Sequence, residues 1–226
     1  MIKRLAIIPA RGGSKRIKNK NIVKFLGKPL IHYAIDSLKE SKLFDTIHIS
    51  TDSTKIKKIV KNKNINIDFF RPKYLSGDKT GVQKVVDFVF KKFKKKNLLF
   101  DEVWLIFATN PFISKKILIN ASKLYQKYKG KYSILPVSKY NYPIEWALKT
   151  KKNFLLEPVF KNQIKKNSNK FKQKYCDAGM FVAYERDFLN KKNHRFKPLV
   201  IPYTETVDID NFEDFDLAKK LFKKND

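Results

Sequence analysis

Residues 5–21 read Leu5-Ala6-Ile7-Ile8-Pro9-Ala10-Arg11-Gly12-Gly13-Ser14-Lys15-Arg16-Ile17-Lys18-Asn19-Lys20-Asn21. The apolar run at residues 5–9 is short and stops at a glycine-containing loop, which predicts a buried first strand rather than a helix. Behind it, Gly12 and Gly13 let the backbone come close to an anion, and loop N–H groups can cradle phosphate oxygens. Arg11, Lys15, Arg16 and Lys20 add cations able to neutralise a triphosphate. The loop is neither G-x-x-x-x-G-K-S/T nor G-x-G-x-x-G. The bland alternative is a basic surface turn.

Working outward, Pro29 opens an amphipathic segment at Leu30–Ser41, with Ile31, Ala34, Ile35 and Leu38 at helical spacing. Thr46–Ser50 reads as the second strand, and Thr51, Asp52 and Ser53 supply capping residues for a helix to about residue 61. A third strand is expected at residues 65–70, closed by Arg71-Pro72. Residues 81–96 are helical, with valines and phenylalanines forming a broad apolar face. A fourth strand at 103–108, a helix at 114–128 and a fifth strand at 133–137 follow. Strands alternating with helices predict an α/β fold with a mainly parallel sheet covered on both faces. Ligands of such sheets sit beyond the carboxyl ends of the strands. Residues 11–16, Ser50-Thr51-Asp52, Arg71 and Thr109-Asn110 all follow strand ends and should converge there.

The pattern breaks at about 141–174, read as a flap or an arm that packs on a second subunit, with a strand expected at 154–160. Strands at 180–184 and 199–203 and a helix at 212–224 close the chain. No repeat or true linker separates these parts, so one domain over 1–226 is expected.

At 226 residues, 42% hydrophobic and 14% aromatic, the chain can bury a substantial core. No apolar stretch is long enough to span a bilayer, and the amino-terminal run is too short for a secretory signal. A cytoplasmic protein is expected, and the single cysteine, Cys176, fits a reducing compartment. The formal net charge of +29 raises the question of nucleic acid. Lysine is spread along the whole chain, however, which favours a solvated surface over a polyanion patch. Cys176 has no nearby histidine and reads as packing. His32, His48 and His194 lack metal-ligand spacing and read as structural.

Near the carboxyl end stands Asp208-Ile209-Asp210. Two residues apart on an extended segment, both carboxylates project to one face. Paired oxygen ligands suit Mg²⁺, which keeps waters and also holds substrate phosphates. A cap for the following helix is the competing explanation.

Residues 11–21, with Gly27-Lys28-Pro29-Leu30 behind them, resemble the signature of the cytidylyltransferases that activate nonulosonic (sialic-type) acids and 3-deoxy-manno-octulosonate. Ser50-Thr51-Asp52, Arg71-Pro72 and Val207-Asp208-Ile209-Asp210 stand in the order those enzymes show. The resemblance implies a three-layer, Rossmann-like nucleotide-diphosphosugar transferase fold, CTP as co-substrate, Mg²⁺, an acidic nine-carbon sugar and a homodimer. It also implies CMP transfer to the sugar's anomeric hydroxyl with release of pyrophosphate. Arg11, Lys15, Lys20, Asp208 and Asp210 would carry the chemistry, with the two aspartates holding the metal. Ala10, Arg11, Gly12, Gly13, Ser14, Asn21, Asp52, Arg71, Asp78 and Thr80 would bind the nucleotide. Phe107, Thr109, Asn110, Tyr142, Asp177 and Gly179 would meet the sugar.

Ala108-Thr109-Asn110-Pro111-Phe112, Tyr142-Pro143-Ile144 and Asp177-Ala178-Gly179 look like the pseudaminate branch of that family. Phe107 stands where sialate enzymes carry a sugar-contacting glutamine, and it offers no hydrogen bond. A sialate, legionaminate or octulosonate enzyme, a uridylyl- or guanylyltransferase, and a basic nucleic-acid-binding module are the alternatives.

Overall fold

The computed structural model describes residues 2–14, 16–191 and 193–225. In chain order, β1 (Arg4–Pro9) leads through the basic loop to a small hairpin, β2 (Lys24–Phe25) and β3 (Lys28–Pro29), and then to α1 (Leu30–Ser41). Next come β4 (Thr46–Ser50), α2 (Thr54–Lys61), α3 (Val82–Lys95), β5 (Glu102–Ile106), α4 (Lys115–Lys127) and β6 (Ser133–Lys139). An arm carries β7 (Leu148–Thr150) and β8 (Leu156–Pro158). The chain returns through β9 (Tyr175–Asp177), β10 (Phe181–Ala183), β11 (Phe196–Val200) and α5 (Phe212–Asn225).

The main sheet runs β11-β6-β10-β5-β1-β4, with β9 paired to the far end of β6. β1 is parallel to β4 and β5, and β11 is parallel to β6. β10 lies antiparallel between β5 and β6, and β9 is antiparallel to β6. Alternation along β1 fills both faces. Ala6 and Ile8 join α1 and α4 residues such as Ile31, Ile35, Leu118 and Ala121 in one core. Leu5 and Ile7 join Val86, Val89 and Phe93 of α3 in the other. Helices on both faces of a mainly parallel sheet make the expected three layers.

Three expectations shift. Residues 65–70 form no strand. Ile65 and Ile67 are buried at alternate positions, so the sequence carries strand-like periodicity. The backbone is tied to the end of β4 at Arg71 N–H, which donates to Thr51 O at 2.7 Å. The strand expected at 154–160 shrinks to β8, because Asn153 and Phe154, both at positive φ, turn the chain into a hairpin. The strand expected at 199–203 lies earlier, at β11, since the chain turns into a 3-10 turn at Tyr203–Glu205.

His48 of β4 is nearly inaccessible, stacked on Phe69 with 4.4 Å between ring centroids. Neither ring nitrogen has a hydrogen-bond partner among the described residues. Burial, with Lys96 and Arg71 adding, pulls its pKa down to about 3. The unfolded chain therefore binds a proton that the folded chain refuses, and stability falls as pH drops from 6.5 toward about 3. Denaturant titrations at about pH 7 and about pH 5 should show a smaller loss for His48→Phe than for the parent. An equal loss would reject His48 as a source of acid sensitivity.

Candidate active site

The loop after β1 is braced from three sides. Ala10, fully buried, donates its N–H to Ser50 O at 2.9 Å, so it frames the site and does not line it. Gly12 N–H donates to Asp52 Oδ1 at 2.9 Å. A Cβ on Gly12 would sit 3.0 Å from the Ser53 Cβ, so glycine permits this closeness. Asn21, buried, donates Nδ2 to Arg11 O at 2.9 Å. Asp52 and Asn21 thus hold the loop in place, and Asn21 also lines the cleft beside it, as expected of a nucleotide-site residue. Ser53 caps α2 by accepting from Ile56 N–H, which leaves Asp52 for the loop. Space is open where a Cβ on Gly13 would point.

The loop walls a cleft of about 310 Å³. Arg11, Ser14, Arg16 and Lys20 line it on one side, Arg71, Gly77, Asp78 and Thr80 on another, and Pro9, Leu75, Val82 and Val85 give an apolar wall. Arg11 pairs with Asp78 at 2.5 Å. Arg71 is buried and spends two donors on Ser50, Nε to Oγ at 3.2 Å and an Nη to the carbonyl at 2.5 Å. Burial pulls its guanidinium down to about 10, with Asp52 opposing and Arg11 assisting. It is therefore a strand-end clasp with donors left over for the cleft. Lys15 lies outside the described residues.

A second lobe of about 370 Å³ adjoins the first. Thr109, Asp177, Gly179 and Asp208 line it, and Lys20, Phe107 and Asp210 line both lobes. Asp177 Oδ1 accepts from Gly179 N–H at 2.9 Å. Gly179 has φ +61°, and a Cβ there would lie 3.0 Å from the Cβ and Cγ of Asp208. This bend, between β9 and β10, seats Asp208. Asn110, expected at the sugar, is fully buried. Its amide donates to the carbonyls of Ala178 and Gly179 at 3.1 and 3.3 Å, and its Oδ1 accepts from Phe112 N–H. Asn110 therefore shapes the bend from behind. Tyr142 sits on the arm, 77% exposed, and lines neither lobe.

The capping alternative for the aspartates is decided by α5 itself. Asn211 Oδ1 accepts from Asp214 N–H, and Asp214 Oδ2 accepts from the N–H groups of Asp210 and Asn211. That reciprocal box satisfies the helix start and leaves both Asp208 and Asp210 side chains to the cleft. Partial burial pushes the Asp210 carboxyl up, but hydrogen bonds from Lys20 and Arg16 outweigh it and hold it below the ordinary carboxylate range. Asp208 moves the other way. Its carboxyl sits amid protein atoms at an open rim, which raises it. Lys20 opposes, while Asp210, Asp177 and Asp214 add to the rise.

Among the described residues, no cluster of three or more His, Cys, Asp or Glu side chains could hold a metal alone. The donor set still fits Mg²⁺, which takes one or two carboxylates and fills its octahedron with water and phosphate. Among the described residues, the second lobe sets three carboxylates, Asp177, Asp208 and Asp210, against one lysine, Lys20, a local excess of negative charge that a bound cation would offset. Leu75, Val82 and Val85 were not foreseen as cleft residues; the i, i+3 valines at the start of α3 were the available signal.

A mainly parallel α/β sheet with an anion-ready loop after its first strand and a carboxylate pair facing it is the architecture of a nucleotide-transferring enzyme. The family model described as Cytidylyltransferase matches residues 5–224, and the chain belongs to that family. It is 33% identical over 228 residues to a pseudaminic acid cytidylyltransferase of Campylobacter jejuni, covering 99% of this chain and 98% of that one. A CMP-N,N'-diacetyllegionaminic acid synthase of Legionella pneumophila is 29% identical, with 98% and 97% covered. Among solved structures, a CMP:2-keto-3-deoxy-manno-octonic acid synthetase complexed with CTP shares the fold at TM-score 0.72 and 12% identity, each chain 99% covered.

Gly179→Ala should cost about 1–3 kcal/mol of stability, because alanine is strained at this φ and meets Asp208. Gly13→Ala, with open space at its Cβ, should leave the thermal midpoint unchanged. Equal midpoints for the two variants would contradict the packing of Asp208 on Gly179.

Proposed function

We propose that this protein transfers CMP from CTP to the anomeric hydroxyl of a nonulosonic acid, pseudaminic acid in particular, and releases pyrophosphate. The observation that carries this is the pair of adjoining lobes sharing Lys20, Phe107 and Asp210. In the first lobe the loop and Arg11 receive the triphosphate, and the apolar wall of Leu75, Val82 and Val85 takes the cytosine. The second lobe receives the sugar, so its hydroxyl meets the α-phosphorus at the junction. The new bond joins the anomeric oxygen to the α-phosphorus, the bond to the β-phosphate bridging oxygen breaks, pyrophosphate leaves with that oxygen, and the hydroxyl proton passes to the solvent that the open cleft admits. Lys20 reaches both lobes and stabilises charge on the phosphates as it shifts. Holding the two reactants in register supplies much of the rate. Asp208 and Asp210 would hold Mg²⁺, which neutralises phosphate charge and orients the oxygens it binds.

Phe107 is the feature that favours pseudaminate. It removes a hydrogen bond at the junction, and a missing polar contact discriminates strongly between sugars. The related legionaminate and sialate activities form the second reading, supported by the 29% identical synthase and by a 28% identical N-acylneuraminate cytidylyltransferase of Escherichia coli.

A homodimer belongs to the same proposal. Phe154, Leu155 and Leu156 of the arm are 91%, 66% and 65% exposed, an apolar surface that a second copy would cover. A cytoplasmic location agrees with the single cysteine; no described helix is long and apolar enough to cross a membrane.

Pyrophosphate release with CTP, Mg²⁺ and each acid in turn tests the assignment. Pseudaminic acid should give the highest kcat/KM, and Asp210→Asn should lower kcat about a hundredfold or more. Phe107→Gln should shift preference toward N-acetylneuraminic acid about tenfold. Near-normal turnover by Asp210→Asn would remove the metal assignment, and an unchanged preference would remove the role of Phe107.

A further inference from the structure

Both carboxylate oxygens of Asp210 are engaged by cations. Oδ2 accepts from Arg16 Nη1 at 2.8 Å and Oδ1 accepts from Lys20 Nζ at 2.9 Å. The backbone that carries this carboxylate is held in turn, since Asp214 Oδ2 accepts from the N–H groups of Asp210 and Asn211. Asp208, by contrast, has no hydrogen bond or ion pair among the described residues. A divalent cation arriving at this pair therefore meets one open carboxylate and one held by two competing cations.

The two cations differ in how firmly they are placed. The Lys20 side chain is 15% exposed and lines both lobes, whereas that of Arg16 is 67% exposed and lines only the nucleotide lobe. Exposed ion pairs contribute little, and a long, solvated arginine leaves one at small cost. Ser14 and Arg11 line the same lobe, so a triphosphate placed there would lie within reach of Arg16. It would also be a stronger anion than a single carboxylate, and guanidinium groups match phosphate in a two-pronged geometry.

We infer that Arg16 guards the metal site: without nucleotide it occupies Asp210, and the triphosphate draws it off and opens the carboxylate to a divalent cation. This rests on the proposed metal role of Asp208 and Asp210. Nucleotide and cation then bind with positive coupling, each raising the affinity for the other. The cation completes its site with or after CTP, and the acidic pair binds a cation more weakly in the empty enzyme.

Manganese serves as the probe, since its free hexaaquo form is counted directly by electron paramagnetic resonance. Without nucleotide, Arg16→Gln should bind Mn²⁺ about two- to fivefold more tightly than the parent, the range set by losing one exposed ion pair. Lys18→Gln, removing one exposed charge from the same loop, corrects for the general change in potential and should gain less. Adding Asp210→Asn to Arg16→Gln should abolish the gain. Equal Mn²⁺ affinity in Arg16→Gln and Lys18→Gln, or a gain that survives Asp210→Asn, would overturn the guard. Pyrophosphate release in the presence of EDTA checks the underlying metal role separately. Abolition by EDTA with no gain in Arg16→Gln rejects the guard alone, and activity that persists in EDTA rejects both.

Discussion

Arg16 and Lys20 meet Asp210 across 194 and 190 residues of chain, and this contact depends on the whole sheet being assembled. The loop after β1 supplies the cations and the segment before α5 supplies the carboxylate. Between them lie the strands and crossover helices that bring these two pieces to one edge. Such a long-range contact carries a large loop-closure cost and becomes favourable only once the cores on both sheet faces have formed. It gives little stability by itself. What it provides is a site where positive and negative groups are set side by side before any substrate arrives, so that little reorganisation accompanies the reaction.

The frame of this edge was readable from sequence because each part has a local cause. The apolar run 5–9 ending at glycine, the Ser53 cap and the valine-rich start of α3 are all set within a few residues. The order of strand-end motifs then located the cleft through the geometry of parallel sheets. The aspartate pair needed one more fact, that Asn211 and Asp214 cap α5 between themselves, and only the folded chain supplies it.

What sequence misplaced were residues whose partners lie far along the chain. Asn110 looks like a substrate contact because it is polar and follows a strand end. Its amide is instead consumed by the carbonyls of Ala178 and Gly179, some 70 residues on. Asp52 looks like a cap or a nucleotide ligand, and its oxygen instead fixes Gly12. Residues 65–70 alternate in burial as a strand would, yet no ladder forms, because periodicity reports which side chains are buried and says nothing of where the backbone bonds go. The +29 charge was least informative: a few cations line the cleft, while lysines are spread along the whole chain.

In the proposed enzyme one cleft holds the nucleotide and the sugar in separate lobes that meet at Lys20 and Asp210. A crystal structure of the protein with CTP and a divalent cation tests it most directly. The expected result is phosphates against the 11–20 loop, cytosine on Leu75, Val82 and Val85, and the α-phosphorus beside Asp210. A nucleotide bound anywhere else, or one whose α-phosphorus faces away from the second lobe, would contradict it.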